Sequence, residues 1–241
     1  MPLLAIETST RQLGVAVLDG ERLMSSYELL AEYPHAVELP DAVTRVLKAA
    51  HTTLEALEAI VVDIGPGSFT GLRIGLAFVK ALAFATKKAV IGVPSLDVLA
   101  AGVPFSPHLV CPILDAKQKN VYAALYRLET GTPIKQHDYS LGSIDAVLSL
   151  IKEPTVFLGD GCALYRERIV QRVGDHAQFA APELWLPRAA TLARLGRERL
   201  AQGHRDDPSR LVPLYLYPLD CSVRGPDRPT SVLPTSVSAA T

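Results

Sequence analysis

The stretch DIGPGSFTGLRIG, from Asp63 to Gly75, decides how this sequence is interpreted. It follows an apolar run that predicts a buried strand, and it opens a long apolar segment that predicts a helix. Nucleotide-binding proteins place a phosphate at such a glycine-rich junction, because the N–H groups at a helix start attract anions. The stretch is therefore either a phosphate loop or a tight structural turn.

The glycine spacing favours the structural turn. A P-loop needs four residues between its glycines and then a lysine, whereas three residues separate Gly67 from Gly71 and Leu72 comes next. The dinucleotide fingerprint also fails, because Thr70 stands where its third glycine belongs. Close approach of backbone and helix is the preferred role, and a phosphate site is the alternative. The residues of the predicted glycine loop are Gly65, Gly67, Ser68, Thr70, Gly71, Arg73 and Gly75.

Composition describes an ordinary globular chain without a strong charge. Of the 241 residues, 49% are hydrophobic and 20% are charged, and the formal net charge of −1 excludes an overall basic field for nucleic acid. The three cysteines are far apart, which is typical of a reducing compartment. The N-terminus lacks an export signal, and the apolar segment 71–85 is too short to cross a bilayer. We expect a cytoplasmic protein that is not bound to a membrane.

The order of predicted elements repeats along the chain. Aligning Glu7 with Asp115 places an acid at the end of the first strand in each half, and both halves follow the order β-β-β-α-β-α. This pattern predicts an α/β protein with two lobes, residues 1–101 and 102–221, the second of which includes a final helix over 188–202. Residues 222–241 are rich in Pro, Ser and Thr, which predicts a disordered tail.

The final helix concentrates positive charge. A cluster of this kind usually forms a solvated face, and contact with RNA is the alternative. Its basic residues are Arg188, Arg194, Arg197 and Arg199.

Paired lobes that each open on an acidic strand end resemble the actin, sugar-kinase and Hsp70 ATPase superfamily. Within it, IETST at 6–10 and GPGSFTGLRIG at 65–75 are similar to the TsaB (YeaZ) family. The resemblance extends to ILDAKQKNVYAALY at 113–126 and DPSRLVPLYL at 207–216, and it covers most of residues 1–220. The sequence departs from it in HAVELP at 35–40, which is one residue short, and at Tyr217, where arginine is common.

Comparison with TsaD, the catalytic paralogue, implies that this chain lacks the catalytic centre. TsaD has a similar glycine loop followed by H-x-x-x-H, which holds its metal, but Ser95 and Leu99 stand at those two places here. Two imidazoles one helical turn apart can hold one ion, and serine and leucine cannot replace them. The six histidines form no other pair at this spacing, and Ser68 lies outside a G-x-S-x-G hydrolase elbow.

The resemblance implies a non-catalytic subunit. In this family TsaD transfers threonylcarbamoyl from its adenylate to the adenosine next to the anticodon of tRNAs that read A-starting codons. TsaB supports TsaD in a heterodimer, and the ATPase TsaE joins them in a ternary complex. ATP, metal, threonylcarbamoyl adenylate and tRNA would then belong to the complex, and the free chain could pair as a homodimer. The alternative is a stand-alone superfamily enzyme, either a small-molecule kinase or a glycoprotease-like metallopeptidase.

Two helices of the first lobe are the expected docking face, since the family docks on TsaD through them. The helix over 35–50 is amphipathic, whereas the helix over 70–86 is apolar nearly all round, which is unusual on a monomer's surface. Small residues at 71, 75, 77, 81 and 85 form ridges that allow close helix packing. Coverage by the protein's own sheet is the alternative. The candidate contacts are His35, Leu39, Val43, Leu72, Leu76, Ala77, Val79, Lys80 and Ala81.

Overall fold

Each half of the chain builds a five-stranded mixed sheet in the computed structural model, which describes residues 1–30, 35–103, 105–129 and 131–217. In the first sheet the middle strand pairs antiparallel with one neighbour and parallel with the other. The strand order is β3-β2-β1-β4-β5. The strands are β1 (Pro2–Glu7), β2 (Gln12–Asp19), β3 (Arg22–Leu30), β4 (Ala59–Asp63) and β5 (Ala89–Val93).

The second sheet repeats this arrangement strand for strand. Its order, β8-β7-β6-β9-β10, matches that of the first sheet, and β6 again pairs antiparallel on one side and parallel on the other. The predicted duplication and the α/β fold class are therefore confirmed. The strands are β6 (Leu109–Asp115), β7 (Asn120–Glu129), β8 (Thr132–Ser143), β9 (Thr155–Leu158) and β10 (Ala177–Phe179).

Within the residues that the structure describes, six helices cover the sheets. Alternation along β1 sends Leu4 and Ile6 to one face, where α1 and α2 pack, and Leu3 and Ala5 to the other, where α6 packs. Two short 3-10 turns, Gly174–His176 and Pro182–Leu184, precede α6. The helices are α1 (His35–Ala49), α2 (Phe69–Thr86), α3 (Ser95–Ala101), α4 (Ile144–Ser149), α5 (Gly161–Val173) and α6 (Ala189–Ala201).

The position of α6 corrects the predicted division of the chain. Residues 102–221 were assigned to the second lobe together with their final helix, but α6 packs on the first sheet, where Leu192 and Leu195 join the cluster around Val61. A Cβ added at Gly196 would lie 2.4 Å from Val61 Cγ2, so the helix approaches the sheet closely. The first lobe therefore consists of residues 1–101 and α6. Cys221 and residues 222–241 lie outside the described residues.

The helix α3 joins the lobes. Leu96 and Leu99 pack in one apolar cluster with residues of β6 and β7. On the same helix, Asp97 Oδ1 accepts hydrogen bonds from the hydroxyls of Tyr126 at 2.7 Å and Tyr139 at 2.8 Å. Burial, followed by the charge of Asp97, raises the pKa of both tyrosines, so both hydroxyls stay protonated and keep donating.

The helix α2 is longer than the apolar segment 71–85 that was predicted to be too short to cross a membrane. With 18 residues and a mean hydropathy of 1.4, α2 is long and apolar enough to cross one, by length and composition alone. A core helix of a globular domain meets the same two criteria. Here Leu76 and Val79 pack against the first sheet, which is the arrangement of a core helix.

Candidate functional site

The glycine loop packs tightly against the turn that follows β1. The N–H of Ser68 donates to the carbonyl of Ser9 at 2.6 Å, and a Cβ added at Gly67 would lie 2.2 Å from that same oxygen. A Cβ at Gly71 would lie 2.0 Å from the carbonyl oxygen of Thr8. Backbone atoms cannot tolerate such contacts, so both positions require glycine. These glycines allow α2 to enter closely against β1, which is the role predicted for them.

The other loop residues complete this turn. Gly65 has a φ of 95°, in the region that favours glycine, and a Cβ at Gly75 would lie 2.2 Å from Thr8 Oγ1. The side chain of Arg73 is turned onto aromatic rings: its guanidinium lies 3.9 Å from the ring centroid of Phe69. Thr70 is exposed at the start of α2.

The glycine loop uses part of its hydrogen-bonding capacity within the chain. Ser68 caps α2, because its Oγ accepts the N–H of Gly71 at 3.2 Å while its own N–H is bonded to Ser9. Two donors that could bind an anion are therefore used within the chain. The backbone of residues 8 and 9 touches Gly67 and Gly71, which closes the side of the loop that faces this turn.

Two buried acids lie beneath the loop, at the ends of neighbouring parallel strands. Glu7 Oε1 accepts the N–H and the hydroxyl of Ser9, both at 2.6 Å, and Asp63 Oδ1 accepts the N–H of Gly65 and the hydroxyl of Ser95, also at 2.6 Å. Burial raises the pKa of Glu7 well above its usual range, and the charge of Asp63 raises it further. Both effects favour the protonated form of Glu7.

The two positions that correspond to the histidines of TsaD are both buried. Ser95 is fully buried with its hydroxyl bonded to Asp63, and Leu99 packs in the cluster that joins the lobes. Within the described parts of the chain, no group of three or more His, Cys, Asp or Glu residues could hold a metal ion. The residues present thus do not fit a metal of the TsaD kind.

A cleft of about 950 Å³ separates the lobes, and the C-terminal part of the described chain runs along it. The first lobe contributes the turn after β1, His35 and the start of α2, and the second lobe contributes Asp115, Lys117 and Asp160. Lys117 Nζ pairs with Asp115 Oδ2 at 2.6 Å, so this cation is neutralised by its own lobe. Residues 214–217 line the cleft as well.

The outer surface of α2 differs from the predicted docking face. Five of the candidate contacts are buried in the first lobe, so their side chains are not available to a partner: Leu39, Val43, Leu72, Leu76 and Val79. His35 is buried too, and its Nε2 donates to the carbonyl of Thr10 at 2.8 Å. Lys80 is half-buried, and Ala77 and Ala81 are exposed. The small-residue ridges therefore divide, with Gly71 and Gly75 facing the sheet and the alanines facing outward.

Several large apolar side chains on these helices are exposed, and the sequence prediction omitted them. Phe84 of α2 is 78% exposed and Val37 of α1 is 67% exposed. Phe69 is 53% exposed and stacks on Tyr215, with 5.5 Å between ring centroids. The available signal was the helical period: Phe84 lies three and seven residues after Ala81 and Ala77, on the same face of α2. We call the surface of Val37, Ala77, Ala81 and Phe84 the α1–α2 outer face.

The arginines of α6 bind within the chain. Arg194 and Arg199 donate to the carbonyls of Ala101 at 3.1 Å and Gly92 at 2.7 Å. Arg197 donates to the carbonyl of Met1 and pairs with Glu58 at 2.9 Å. Arg188 likewise donates to the carbonyl of Glu183 at 2.8 Å. These bonds connect the arginines to neighbouring elements, while Arg188 is exposed and the other three are partly exposed.

Comparison with known proteins places the chain at two levels. The fold is that of the actin, sugar-kinase and Hsp70 ATPase class. The ethanolamine utilization protein EutJ from Carboxydothermus hydrogenoformans shares this fold with a TM-score of 0.51 and 11% identity. The comparison covers 80% of this chain and 90% of that one. The family model described as TsaD, tRNA N6-adenosine threonylcarbamoyltransferase, matches residues 29–220.

Two relatives at higher identity are matched over nearly their whole length. The tRNA threonylcarbamoyladenosine biosynthesis protein TsaB of Bacillus subtilis is 32% identical over 90% of this chain and 94% of its own length. The solved structure of YeaZ from Pseudomonas aeruginosa is similar with a TM-score of 0.75 and 30% identity over 89% of this chain and 99% of that one. The chain belongs to the TsaB (YeaZ) family.

Proposed function

We propose that this chain is a non-catalytic subunit that binds a TsaD-type transferase and supports its transfer of threonylcarbamoyl to tRNA. In this proposal the two proteins form a heterodimer in the cytoplasm, a TsaE-type ATPase joins them, and tRNA is bound only through the complex. The chain itself carries neither the metal nor the nucleotide. The family to which it belongs supports the assignment to this modification pathway.

The α1–α2 outer face is the observation that carries the proposal. Its exposed alanines and Phe84 present an apolar surface on a helix whose buried side is already packed on the sheet. Small side chains allow a second helix to approach closely, and an exposed aromatic residue is a frequent anchor of interfaces. The partner that we expect on the α1–α2 outer face is the corresponding pair of helices of the TsaD-type transferase. This paralogue has a similar glycine loop and therefore a similar helix after it.

The missing catalytic groups support the non-catalytic role. Ser95 and Leu99 are buried in the protein core, and the N–H groups of Ser68 and Gly71 in the glycine loop are already bonded within the chain. A metallopeptidase would need the metal and a kinase would need the phosphate site. A subunit needs neither.

The test is an Ala81→Glu variant, examined alone and with the TsaD of the same organism. Because Ala81 is exposed, the variant is expected to melt like the wild type, while burial of an unpaired carboxylate in the complex weakens binding by ~100-fold or more. Ala163→Glu is the matched control, since Ala163 is an exposed alanine on α5 in the other lobe. Wild-type co-elution of Ala81→Glu with TsaD would refute the docking face. Loss of a homodimer without loss of TsaD binding would assign the face to self-association.

A further inference from the structure

Residues 206–217, which we call the strap, are bound to the first lobe along most of their length. Asp206 donates its N–H to the carbonyl of Val90 at 2.9 Å and accepts the N–H of Gly92 at 2.8 Å, so it pairs with the edge of β5. Further along, the N–H of Leu214 donates to the carbonyl of Ile64 at 2.7 Å. The side chain of Leu211 packs into the core beneath α1 and α2. The strap thus behaves as an extension of the first lobe up to this point.

The strap then crosses to the second lobe at Tyr217. The hydroxyl of Tyr217 donates to the carbonyl of Ala116 at 2.9 Å and accepts a hydrogen bond from Asn120 Nδ2 at 3.4 Å. Its ring packs edge-on against Tyr122, with 6.2 Å between centroids.

The turn that Tyr217 contacts is strained. Lys117, Gln118 and Lys119 are three successive non-glycine residues with φ values of 64°, 51° and 63°. Left-handed backbone is unfavourable for each of them, and such residues persist only when their surroundings hold them in place. The two residues to which the Tyr217 hydroxyl is hydrogen-bonded, Ala116 and Asn120, flank these three on either side. Within the second lobe, Asp115 also stabilises this turn by accepting the N–H of Lys117 at 2.9 Å.

We propose that the strap fixes the two lobes against each other, with Tyr217 as the clasp that also holds the strained turn of residues 117–119. Two-lobed proteins commonly close around a ligand in the cleft and open when it leaves. Here a segment of the chain itself bridges the cleft, and its end joins the apolar cluster in which α3 connects the lobes. Opening therefore requires the clasp to break, and the lobes hold one relative position without any ligand.

The first measurement is hydrogen–deuterium exchange of the full chain, read on peptides that cover residues 115–122. Tyr217→Phe removes the hydroxyl and keeps the ring, and it is expected to raise exchange there about 3- to 10-fold, as for loss of one hydrogen bond. Tyr215→Phe is the matched control. The hydroxyl of Tyr215 accepts a hydrogen bond from Arg73 Nε of α2 at 3.2 Å. Tyr215→Phe therefore removes a tyrosine contact between the same strap and the first lobe, and leaves the contacts with the second lobe in place. Unchanged exchange in Tyr217→Phe, or equal increases in both variants, would overturn the clasp.

The second measurement follows the lobes directly. Spin labels at Ala49 of α1 and Glu167 of α5, both exposed, report one distance across the molecule, after Cys221 is replaced by serine. Cys111 and Cys162 are buried and resist labelling. Tyr217→Ala, which removes the ring as well, is expected to broaden the distance distribution, whereas Tyr215→Ala leaves it narrow. If Tyr217→Ala folds with an unchanged narrow distribution, the strap does not fix the lobes. If it fails to fold, Tyr217→Phe in the same labelled chain decides the question by the same criterion.

Discussion

Glu7 and Asp63 end two neighbouring parallel strands, and each has a buried carboxyl oxygen that lacks a donor among the described residues. These oxygens are Glu7 Oε2 and Asp63 Oδ2, whereas the other oxygen of each carboxyl accepts two hydrogen bonds. One proton shared between the two groups satisfies both oxygens. The first lobe therefore contains a carboxyl–carboxylate pair beneath the loop that positions α2.

This pair makes stability depend on pH. Because burial raises the pKa of Glu7 above its usual value of 4.5, the folded protein holds a proton that the unfolded chain releases. The contribution of this proton to the free energy of unfolding is complete below about pH 4.5 and is lost as the pH rises through the pKa of Glu7 in the folded protein. The free energy of unfolding falls by at most ~1.4 kcal/mol per pH unit. In the Glu7→Gln variant, an amide N–H donates to Asp63 in place of the shared proton. The free energy of unfolding of this variant is therefore expected to fall less than that of the wild type as the pH rises.

Urea unfolding at several pH values between about 5 and 9 gives the free energy of unfolding at each pH and so measures this difference. Glu167→Gln, at an exposed position of α5, is the control and should follow the wild-type curve. A parallel pH dependence of Glu7→Gln and the wild type would mean that the proton is not held at this pair.

The second prediction concerns the glycine loop. Gly71→Ala places a Cβ 2.0 Å from the carbonyl oxygen of Thr8, so either α2 or the turn after β1 must move. Overpacking of this kind typically costs ~1–3 kcal/mol or more. Gly142→Ala is the control, because its Cβ would meet only Ala146 Cβ at 4.0 Å. Thermal melting should separate the two variants, and equal melting temperatures would contradict the close approach.

Much of the fold follows from local sequence patterns. Alternating and buried apolar runs, turn residues and helical periods predicted the strands of both lobes and the duplication. The strand β10 was missed because its three residues, Ala177–Phe179, are too few to show a period. The position of α6 was missed for another reason: an apolar stripe shows that a helix packs on something, but it does not show which sheet it packs on.

The candidate site was less predictable than the fold. Because α2 is apolar nearly all round, its period did not separate the inner residues from the outer ones, and the candidate contacts Leu72, Leu76 and Val79 are buried in the first lobe. The contact of Gly71 with the Thr8 carbonyl depends on how loop and strand meet in space, which no local pattern contains. The absence of histidine at Ser95 and Leu99, by contrast, was visible in the sequence itself.

The third prediction concerns metal and activity. The isolated chain is expected to bind less than about a tenth of an equivalent of zinc or iron, because Ser95 and Leu99 replace the two imidazoles that would hold the ion. It is also expected to leave tRNA unmodified when supplied with threonylcarbamoyl adenylate. Elemental analysis of the purified chain and nucleoside analysis of the tRNA check the two parts. About one metal ion per chain would contradict the prediction, and so would modification in the absence of TsaD.

The fourth prediction concerns the end of the chain. Residues 222–241 lie outside the described residues, and their composition predicts that they contribute little to stability. Truncation after Cys221 keeps the strap and should shift the melting temperature by about a degree or less. Truncation after Arg205 also removes the strap, including the core contact of Leu211, and should cost several degrees. Equal melting temperatures for the two truncations would show that the strap contributes nothing to folding.

The last prediction separates the two sides of α2 with one substitution on each, and it rests on the proposed function. Leu76 is 4% exposed and packs in the core, so Leu76→Ala is expected to lower the free energy of unfolding by ~2–5 kcal/mol. Phe84 is 78% exposed, so Phe84→Ala should change that free energy by less than ~0.5 kcal/mol. Binding to TsaD should respond in the opposite order, because an aromatic side chain buried only in the complex is a typical anchor, and a loss of ~10-fold or more is expected for Phe84→Ala.

Urea unfolding and titration calorimetry with TsaD supply the two quantities, with Leu76→Ala measured at a temperature at which it remains folded. If Phe84→Ala bound TsaD as tightly as the wild type, the anchor would be elsewhere on the α1–α2 outer face. If Phe84→Ala also lost several kcal/mol of stability, its ring would belong to the fold and not to an interface.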